Sequence, residues 1–221
     1  MADDMKTAGS ADQNTPVSGL GGLQALVARA EKAGTNPNRG VPPVEKWNPE
    51  FCGDIDMRIA RDGTWFYLGT PIGRAALVRL FSTVLRKDED GRTYLVTPVE
   101  KIGIKVDDAP FVAVEMHAET RDAAEGGGQV LTFRTNVGDV VEAGPDHPIR
   151  FELAEANDGV KPYIRVRGRL EALMTRSVMH ELVGLGEEIT VEGEPMFAIK
   201  SKGAVFPIMP AGELDRLAGG A

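Results

Sequence analysis

A pattern of residues recurs in this chain at an offset of 96, and this internal repeat restricts the fold more than any other feature of the sequence. Asp62-Gly63 is matched by Asp158-Gly159, and Tyr67 is matched by Tyr163. A repeated order of residues predicts two similar structural units within one chain. Chance agreement is the alternative, because common residues carry the match and 26 of the 221 residues are glycine.

The first unit is predicted to combine strands with one helix. Apolar and polar residues alternate over 54–60, which indicates a half-buried strand, and Arg61-Asp62-Gly63 is typical of a hairpin turn into a second strand at 65–68. Thr70-Pro71 has the chemistry of a helix start, and an apolar stripe continues from there to Leu85. Further strands are predicted at about 93–97, 102–106 and 111–116.

The second unit repeats this order after the glycines at 126–128. A helix is predicted over 169–184, and Leu173 is expected in its core just as Leu80 is expected in the core of the first helix. Strands are predicted at about 130–135, 139–143, 149–154, 163–167, 189–192, 196–200 and 204–208.

The sequence therefore predicts an α+β fold, built from two strand-turn-strand-helix-strand modules that arose by internal duplication. We expect the first module at 44–118 and the second at 119–221. Residues 1–43 are expected to hold a disordered tail, a short helix near 18–34 and a linker rich in Asn, Gly and Pro.

Composition restricts the location and the partners. The net charge of −8 and the pI near 5.0 disfavour a nucleic-acid partner, because like charges repel. No apolar run approaches the length that a membrane span needs, so we expect no membrane partner and a cytoplasmic location. Cys52 is the single cysteine, which rules out an internal disulfide.

The motifs of common catalytic sites are missing from the sequence. There is no Walker loop and no Gly-x-Ser-x-Gly motif, and His180-Glu181 lacks the second histidine of a zinc-protease helix. We therefore expect no catalytic residues and no cofactor. Asp54 and Asp56 lie on one face of the first predicted strand beside Arg58, where they form a weak candidate for a metal site or, alternatively, an ion-paired strand surface.

Two further groups of polar residues are candidates for ligand binding. The first comprises residues at predicted strand ends and turns, namely Lys101, Asp107, Asp108, Asn136 and Asp139. The second is a basic row of Arg165, Arg167 and Arg169, which could bind an anion or pair with nearby glutamates. Arg74 and Arg169 both follow a glycine at a predicted helix start, so we expect both near the junction of the modules, facing carboxylates or a shared anionic ligand.

Several stretches resemble a bacterial family of proteins of unknown function, domain of unknown function 1285. The resemblance covers most of residues 41–208 and is carried by Pro43–Pro49, Phe51–Arg58, Asp62–Tyr67, Pro71–Arg74, Thr97–Lys101, Asp107–Val112 and Thr135–Asp139. It implies two similar α+β motifs, a second half that resembles pleckstrin-homology folds, and a ligand-binding cleft between the halves. It also implies a regulatory or signalling role, without any catalytic residue.

We interpret the chain as a non-enzymatic module that binds a small anionic ligand or a protein partner in a cleft between two halves, with an oligomer open as a further state. The alternative is a small enzyme or a metal-binding protein that uses Asp54 and Asp56.

Overall fold

The computed structural model describes residues 27–28, 41–122, 128–153 and 159–213, and β-structure dominates it. These residues form fifteen strands, two short α-helices that begin and end within them, α1 at Ala75–Thr83 and α2 at Arg176–Val183, and one 3₁₀ turn at Val44–Lys46; residues 211–213 are also helical. The α+β prediction is therefore wrong, because the chain folds mainly into sheets. Residues 27–28 are helical, and the tail predicted at 1–17 lies outside the described residues.

The first sheet is formed by six strands in the order β3-β2-β1-β6-β5-β4. The central strands β1 and β6 are parallel, and all other neighbours are antiparallel. The strands are β1 Phe51–Ile59, β2 Trp65–Tyr67, β3 Thr70–Pro71, β4 Leu85–Lys87, β5 Thr93–Val96 and β6 Lys101–Val106. The predicted hairpin at Arg61-Asp62-Gly63 is confirmed, and Gly63 supplies the positive φ of +82° in this turn.

The second sheet has six strands in the order β10-β11-β12-β7-β8-β9. Its central pair, β12 and β7, is parallel and its other pairs are antiparallel. The strands are β7 Phe111–Arg121, β8 Gly128–Thr135, β9 Val140–Glu142, β10 Ile149–Leu153, β11 Val160–Arg167 and β12 Leu170–Met174. A linker of four residues, 107–110, connects the first sheet to β7.

The third sheet closes the fold with three antiparallel strands, β13 Glu187–Val191, β14 Glu194–Ser201 and β15 Ala204–Pro210. Its β14–β15 turn contains the predicted Lys202-Gly203. Ser201, fully buried in this sheet, joins it to the second sheet: its hydroxyl accepts a hydrogen bond from Leu131 N at 2.9 Å and donates one to Ala143 O at 2.8 Å.

Both predicted helices are too long, because residues at their ends belong to strands. Thr70-Pro71 forms β3, and Leu85 pairs with Leu95 between β4 and β5. In the second predicted helix, residues 170–174 instead form strand β12. Its residues Leu170, Ala172 and Met174 are buried, whereas Leu173 faces the other side of the sheet and is not part of a helix core. An apolar pattern this short fits a period of 2 as well as a period of 3.6, so spacing alone does not decide between strand and helix.

The two six-stranded sheets have the same plan. In each sheet two three-stranded antiparallel units meet at a parallel pair, formed by the first and last strands of that sheet. Two similar halves are thus present, although the offset of 96 places strand β12 against helix α1. The pleckstrin-homology likeness implied for the second half belongs to the same overturned fold prediction, because that half forms a mixed sheet followed by α2 and a separate third sheet.

One hydrophobic core is shared by the first half, residues 51–106, and the second half, residues 111–210. It contains Trp65 and Phe81 from the first half together with Phe111, Phe133 and Leu182 from the second, all essentially inaccessible to solvent. Burial of large aromatic and aliphatic side chains is the main favourable contribution to folding, so each half stabilises the other. Leu80 on α1 is buried as predicted.

Candidate ligand-binding site

A cavity of about 270 Å³ lies where the first sheet meets the linker. Its wall is formed by the ends of β4, β5 and β6, by the turn between β4 and β5, and by the linker itself. The lining residues are Lys87, Gly91, Arg92, Thr93, Ile104, Lys105, Val106, Asp108 and Pro110. Its size lies just below the range of pockets that hold drug-sized ligands, so it suits a smaller molecule.

The strand register brings one row of the lining together. Lys87 pairs with Thr93, and Thr93 pairs with Ile104, so these three residues lie side by side across β4, β5 and β6. Thr93 and Ile104 are buried, whereas Lys87 at the end of the row is half-buried. The cavity wall therefore changes from apolar to cationic along this row.

Arg92 lines the cavity at the start of β5, but its guanidinium lies on the outer side of the first sheet. Its guanidinium donates a hydrogen bond to Asp54 and lies over the rings of Phe51 at 5.6 Å and Tyr94 at 5.4 Å. A Cβ at Gly103 would overlap the Asp54 carboxylate, so the absence of a side chain there leaves room for this ion pair. The Arg92 guanidinium is thereby held against Asp54 and these two rings.

Asp108 is the acidic residue of the wall, and the second half holds it. Its Oδ1 accepts a hydrogen bond from the Tyr163 hydroxyl at 2.7 Å, and its Oδ2 lies 3.3 Å from Arg61 Nε and 3.8 Å from Lys161 Nζ. Burial and the neighbouring Asp108 raise the pKa of Tyr163, so the phenol stays protonated and donates. The charge of Asp108 is thus balanced by neighbours outside the cavity lining.

The neighbouring Asp107 is engaged with the first sheet. It accepts a hydrogen bond from Arg58 at 2.5 Å and lies 3.9 Å from the Nζ of Lys105. Lys105 is 74% exposed at its side chain, so this contact restrains it weakly.

Asn136 and Asp139 lie in the turn between β8 and β9, where they contribute to the junction of the halves. The Asn136 side chain accepts a hydrogen bond from Val112 N at 3.0 Å and closes over Gly63 of the first half. Asp139 accepts a hydrogen bond from Arg167 at 2.6 Å, and Arg167 also donates to the carbonyl of Ser82 in α1, at 2.6 Å. These contacts join the halves away from the cavity lining.

The arginines of the basic row point to different partners. A β-bulge separates Arg165, which is exposed, from Arg167. Gly168 turns the chain with a φ of +49°, and Arg169 then pairs with Glu89 of the first half at 2.8 Å. Arg169 therefore stands in the β11–β12 turn, where we expected the start of a helix.

Arg74 and Lys101 complete the predicted set. Arg74 is the exposed N-cap residue of α1, and no acid among the described residues pairs with it. Lys101 pairs with Asp88 at 3.2 Å and lies 4.7 Å from the centre of the Tyr94 ring. Burial alone would raise the pKa of Asp88, but hydrogen bonds from Arg86 and Lys101 outweigh it and lower that pKa.

The acidic pair of β1 does not come together as a cation site in the described residues. Asp54 is occupied by Arg92, Asp56 is exposed, and no group of three metal-ligating side chains occurs in the part of the chain that the structure describes.

Of the predicted residues only Asp108 lines the cavity, and sequence reasoning missed Lys87, Arg92 and Lys105. Lys87 follows the apolar stripe of the first predicted helix, a position that does not indicate a strand. Only the pairing of β4 with β5 and of β5 with β6 places Lys87 beside Thr93 and Ile104, and a single sequence contains no direct indication of that pairing.

The comparisons with known proteins agree with this architecture. The N-terminal domain of the domain of unknown function 1285 (DUF1285) matches residues 42–109, and the C-terminal domain of the same family matches residues 110–208. The chain belongs to the DUF1285 family, which confirms the resemblance seen in the sequence. The boundary between the two family domains falls in the linker that borders the cavity.

Two solved structures are similar to this chain. A DUF1285 family protein from Silicibacter pomeroyi is 51% identical, covers 84% of this chain and 96% of its own, and superposes with a TM-score of 0.73. A DUF1285 family protein from Shewanella baltica is 25% identical over 58% of this chain and 90% of its own, with a TM-score of 0.44. Among curated proteins, none matches the chain. None of the described helices has the length and hydropathy needed to cross a membrane.

Proposed function

We propose that the protein is a non-enzymatic binding module whose small ligand occupies the cavity beside the linker. The observation that carries this proposal is the composition of the cavity wall, which combines an apolar side (Ile104, Val106 and Pro110) with a polar side that includes Lys87 and Thr93. Ligand sites commonly combine an apolar lining with a few polar groups that fix orientation, and they favour junctions between domains.

A regulatory role follows from the position of this cavity. Asp108 and Pro110 belong to the wall and also to the linker between the halves, and Asp108 holds Tyr163 of β11. A ligand in contact with these residues would favour one arrangement of the linker over others, because binding shifts a protein toward the state with higher affinity. A partner protein would then recognise the arrangement of the linker that the ligand favours.

The proposal includes a cytoplasmic location in a bacterium. Cys52 is the one cysteine of the chain and its thiol is exposed and unpaired, which is typical of a reducing compartment.

The test is a thermal-shift screen of small acids, bases and neutral polar metabolites, repeated with variants that fill the cavity. A ligand at 100 times its Kd stabilises the folded protein by about 2.7 kcal/mol, or roughly 5–10 °C in a chain of this size. Val106→Phe should abolish the shift by occupying the cavity. Thr93→Ile is a second block that replaces the hydroxyl with a larger apolar side chain, and Val140→Phe adds the same bulk as Val106→Phe at an exposed strand position as the control.

Two results would contradict the proposal. One is a screen that finds no compound with the expected pattern. In that pattern the compound raises the melting temperatures of the wild type and Val140→Phe but not those of Val106→Phe and Thr93→Ile. The other is recovery of a bound compound in chemically altered form, which NMR of the released ligand would detect and which would indicate an enzyme.

A further inference from the structure

We infer that the outer edge of β13 in the third sheet is a docking surface for a partner protein, which adds an extended segment of alternating apolar and basic residues to the sheet. This surface is separate from the cavity, because no residue of the third sheet belongs to the cavity lining. The inference is carried by the backbone groups that the edge leaves unpaired and by the charge and polarity of the side chains around them.

The first step concerns the edge itself. β13 has five residues and pairs with β14 on one side, and no described strand pairs with its other side. The opposite edge of the same sheet, β15, lies beside β10 of the second sheet, and the edge strand β4 of the first sheet lies against the 3₁₀ turn. An unpaired edge is a template for a further strand, and addition of an extended peptide to such an edge is a common mode of recognition.

The second step identifies the backbone groups that an added strand would meet. Thr190 lies opposite Pro195, which has no N–H, so these two residues do not form a hydrogen-bonded pair. The two kinds of pair alternate along an antiparallel ladder, so Ile189 bonds to β14, whereas Glu188 and Thr190 direct their N–H and C=O groups outward. Within the described part of the chain, no hydrogen bond engages these outward groups.

The third step concerns the charge around the edge. Residues 177–199 contain five glutamates and no lysine or arginine. Glu187 is balanced by Lys200 at 2.9 Å. The other four are exposed and pair with no cation among the described residues, namely Glu181, Glu188, Glu192 and Glu194. Lysine or arginine side chains on an added strand would find opposite charges here, which favours their pairing across the strands.

The fourth step concerns the two faces of β13. Ile189 and Val191 are half-buried on one face, where Ile189 lies opposite Met196 of β14. Glu188 and Thr190 are exposed on the other face. Side chains of an added strand also alternate between the two faces, so its apolar residues would extend the face of Ile189 and its basic residues would lie beside Glu188.

The ends of this chain and a second copy match the edge less well. Residues 1–40 contain four basic and four acidic residues, residues 214–221 contain one of each, and neither stretch alternates apolar with basic residues. A second copy paired through its own β13 would bring the same glutamates into proximity, and like charges repel. A basic segment of a different protein therefore fits this edge best.

The experiment measures hydrogen exchange by NMR with a synthetic peptide of alternating lysine and valine. In excess peptide, exchange of the Glu188 and Thr190 amides should slow about tenfold or more, whereas the Ile189 amide, already bonded to β14, should change little. The same peptide with its backbone N-methylated on one edge keeps all side chains and should give no protection. Oligolysine of equal length, and a peptide of alternating glutamate and valine, test charge alone and alternation alone.

Variants assign the binding to this edge. Thr190→Pro removes an outward N–H, which an edge strand tolerates, and should abolish peptide binding, whereas Thr190→Val keeps the N–H and should retain most of the affinity. Glu188→Gln and Glu192→Gln should each weaken binding about two- to fivefold, the usual size of an exposed opposite-charge pair. Asp56→Asn removes the same charge from an exposed position of the first sheet and is the control that should leave the affinity unchanged.

Four results would overturn the inference. Oligolysine that binds as tightly as the alternating peptide, or binding that survives both Thr190→Pro and N-methylation, would indicate a non-specific acidic surface. Equal binding of the glutamate peptide would remove the role of charge. A dimer in sedimentation that Thr190→Pro dissociates would show that a second copy occupies the edge. If no peptide protects Glu188 and Thr190, the glutamates serve only to keep this edge unpaired. The thermal-shift screen of the cavity is independent of all four results.

Discussion

At the scale of single residues, Arg167 shows how one side chain joins the two halves. It stands at the end of β11, donates to Asp139 in its own half, and donates to the carbonyl of Ser82 at the end of helix α1. Its guanidinium also lies 4.8 Å from the centre of the Phe111 ring, next to the linker. Only 19% of its side chain is exposed, so these contacts are weakly screened by water.

Replacing Arg167 with methionine should lower the free energy of unfolding by about 2 kcal/mol, because Asp139 and the Ser82 carbonyl lose a charged donor in a half-buried position. Urea denaturation measures the change. Arg165→Met, two positions earlier on the same strand and exposed, is the matched control and should stay within about 0.5 kcal/mol of the wild type. Equal effects of the two substitutions would contradict a role of Arg167 at the junction.

Glu142 supplies a prediction for pH. Hydrogen bonds from Arg121 at 2.6 Å and from Lys202 at 2.7 Å lower the pKa of Glu142 from 4.5 to about 2. A carboxylate with a lowered folded-state pKa contributes stability that is complete above the unfolded-state pKa and is lost as the pH falls through the folded-state pKa. The stabilising contribution of Glu142 should therefore disappear between about pH 4.5 and pH 2.

The measurement compares the melting temperatures of the wild type and Glu142→Gln from pH 7 to pH 2.5. The wild type should be more stable at pH 7, and the difference should shrink steadily below about pH 4.5. Glu194→Gln, at an exposed position of β14, is the control, and its difference from the wild type should stay small throughout. A difference for Glu142→Gln that is constant across this range would show that the ion pairs do not stabilise the fold.

At the scale of elements, Ser201 provides the buried part of the attachment of the third sheet, beside the hydrogen bonds of Gln129 with Lys200 and Lys202. The hydroxyl connects the backbone of β8, at Leu131, with the backbone after β9, at Ala143, and it is completely buried. Ser201→Ala would leave a buried N–H and a buried carbonyl without this partner, which should cost about 2–4 kcal/mol.

Hydrogen exchange tests this attachment more directly than stability alone. In Ser201→Ala the Leu131 amide should exchange faster relative to the amide of Phe133, which lies on the same strand. Thr190→Ala, at an exposed position of the third sheet, should change neither the exchange ratio nor the stability beyond about 0.5 kcal/mol. An unchanged ratio in Ser201→Ala would mean that other contacts hold the third sheet.

The sequence predicts the strands of this protein better than its helices. The alternation at 54–60 and the turns at Gly63 and Lys202-Gly203 depend on neighbouring residues, and the structure confirms them. Where a helix begins and ends depends also on whether the apolar residues beside it pair with another strand. Leu85 and Leu170 both fit a helical stripe, yet each lies in a strand because pairing with β5 or β11 satisfies its backbone and buries its side chain.

At the scale of the whole molecule, local motifs in the sequence predict the family. The two similar halves were also expected, but the offset of 96 does not match their equivalent strands, since β7 begins at 111 and its counterpart β1 begins at 51. The cavity could not be predicted in this way. Lys87 and Ile104 are 17 positions apart and line the same wall only because both are in register with Thr93 across β4, β5 and β6. Asp139, a candidate because of its place in a turn, and Arg167, a candidate as part of the basic row, lie together at the junction of the halves.

The shared core predicts that the halves unfold together. Both tryptophans, Trp47 and Trp65, precede the linker, so fluorescence reports on the first half, whereas circular dichroism in the far ultraviolet reports on all sheets. Since Trp65 and Phe81 belong to the same hydrophobic cluster as Leu182, we expect the two probes to give one midpoint in urea.

Leu182→Ala, a change at a fully buried position of the second half, should lower stability by about 2–5 kcal/mol and shift both midpoints equally. Val140→Ala, exposed in the same half, should leave both midpoints nearly unchanged. A circular dichroism transition that moves in Leu182→Ala while the tryptophan transition stays in place would mean that the first half folds by itself, and that the contacts across the linker do not couple the two halves.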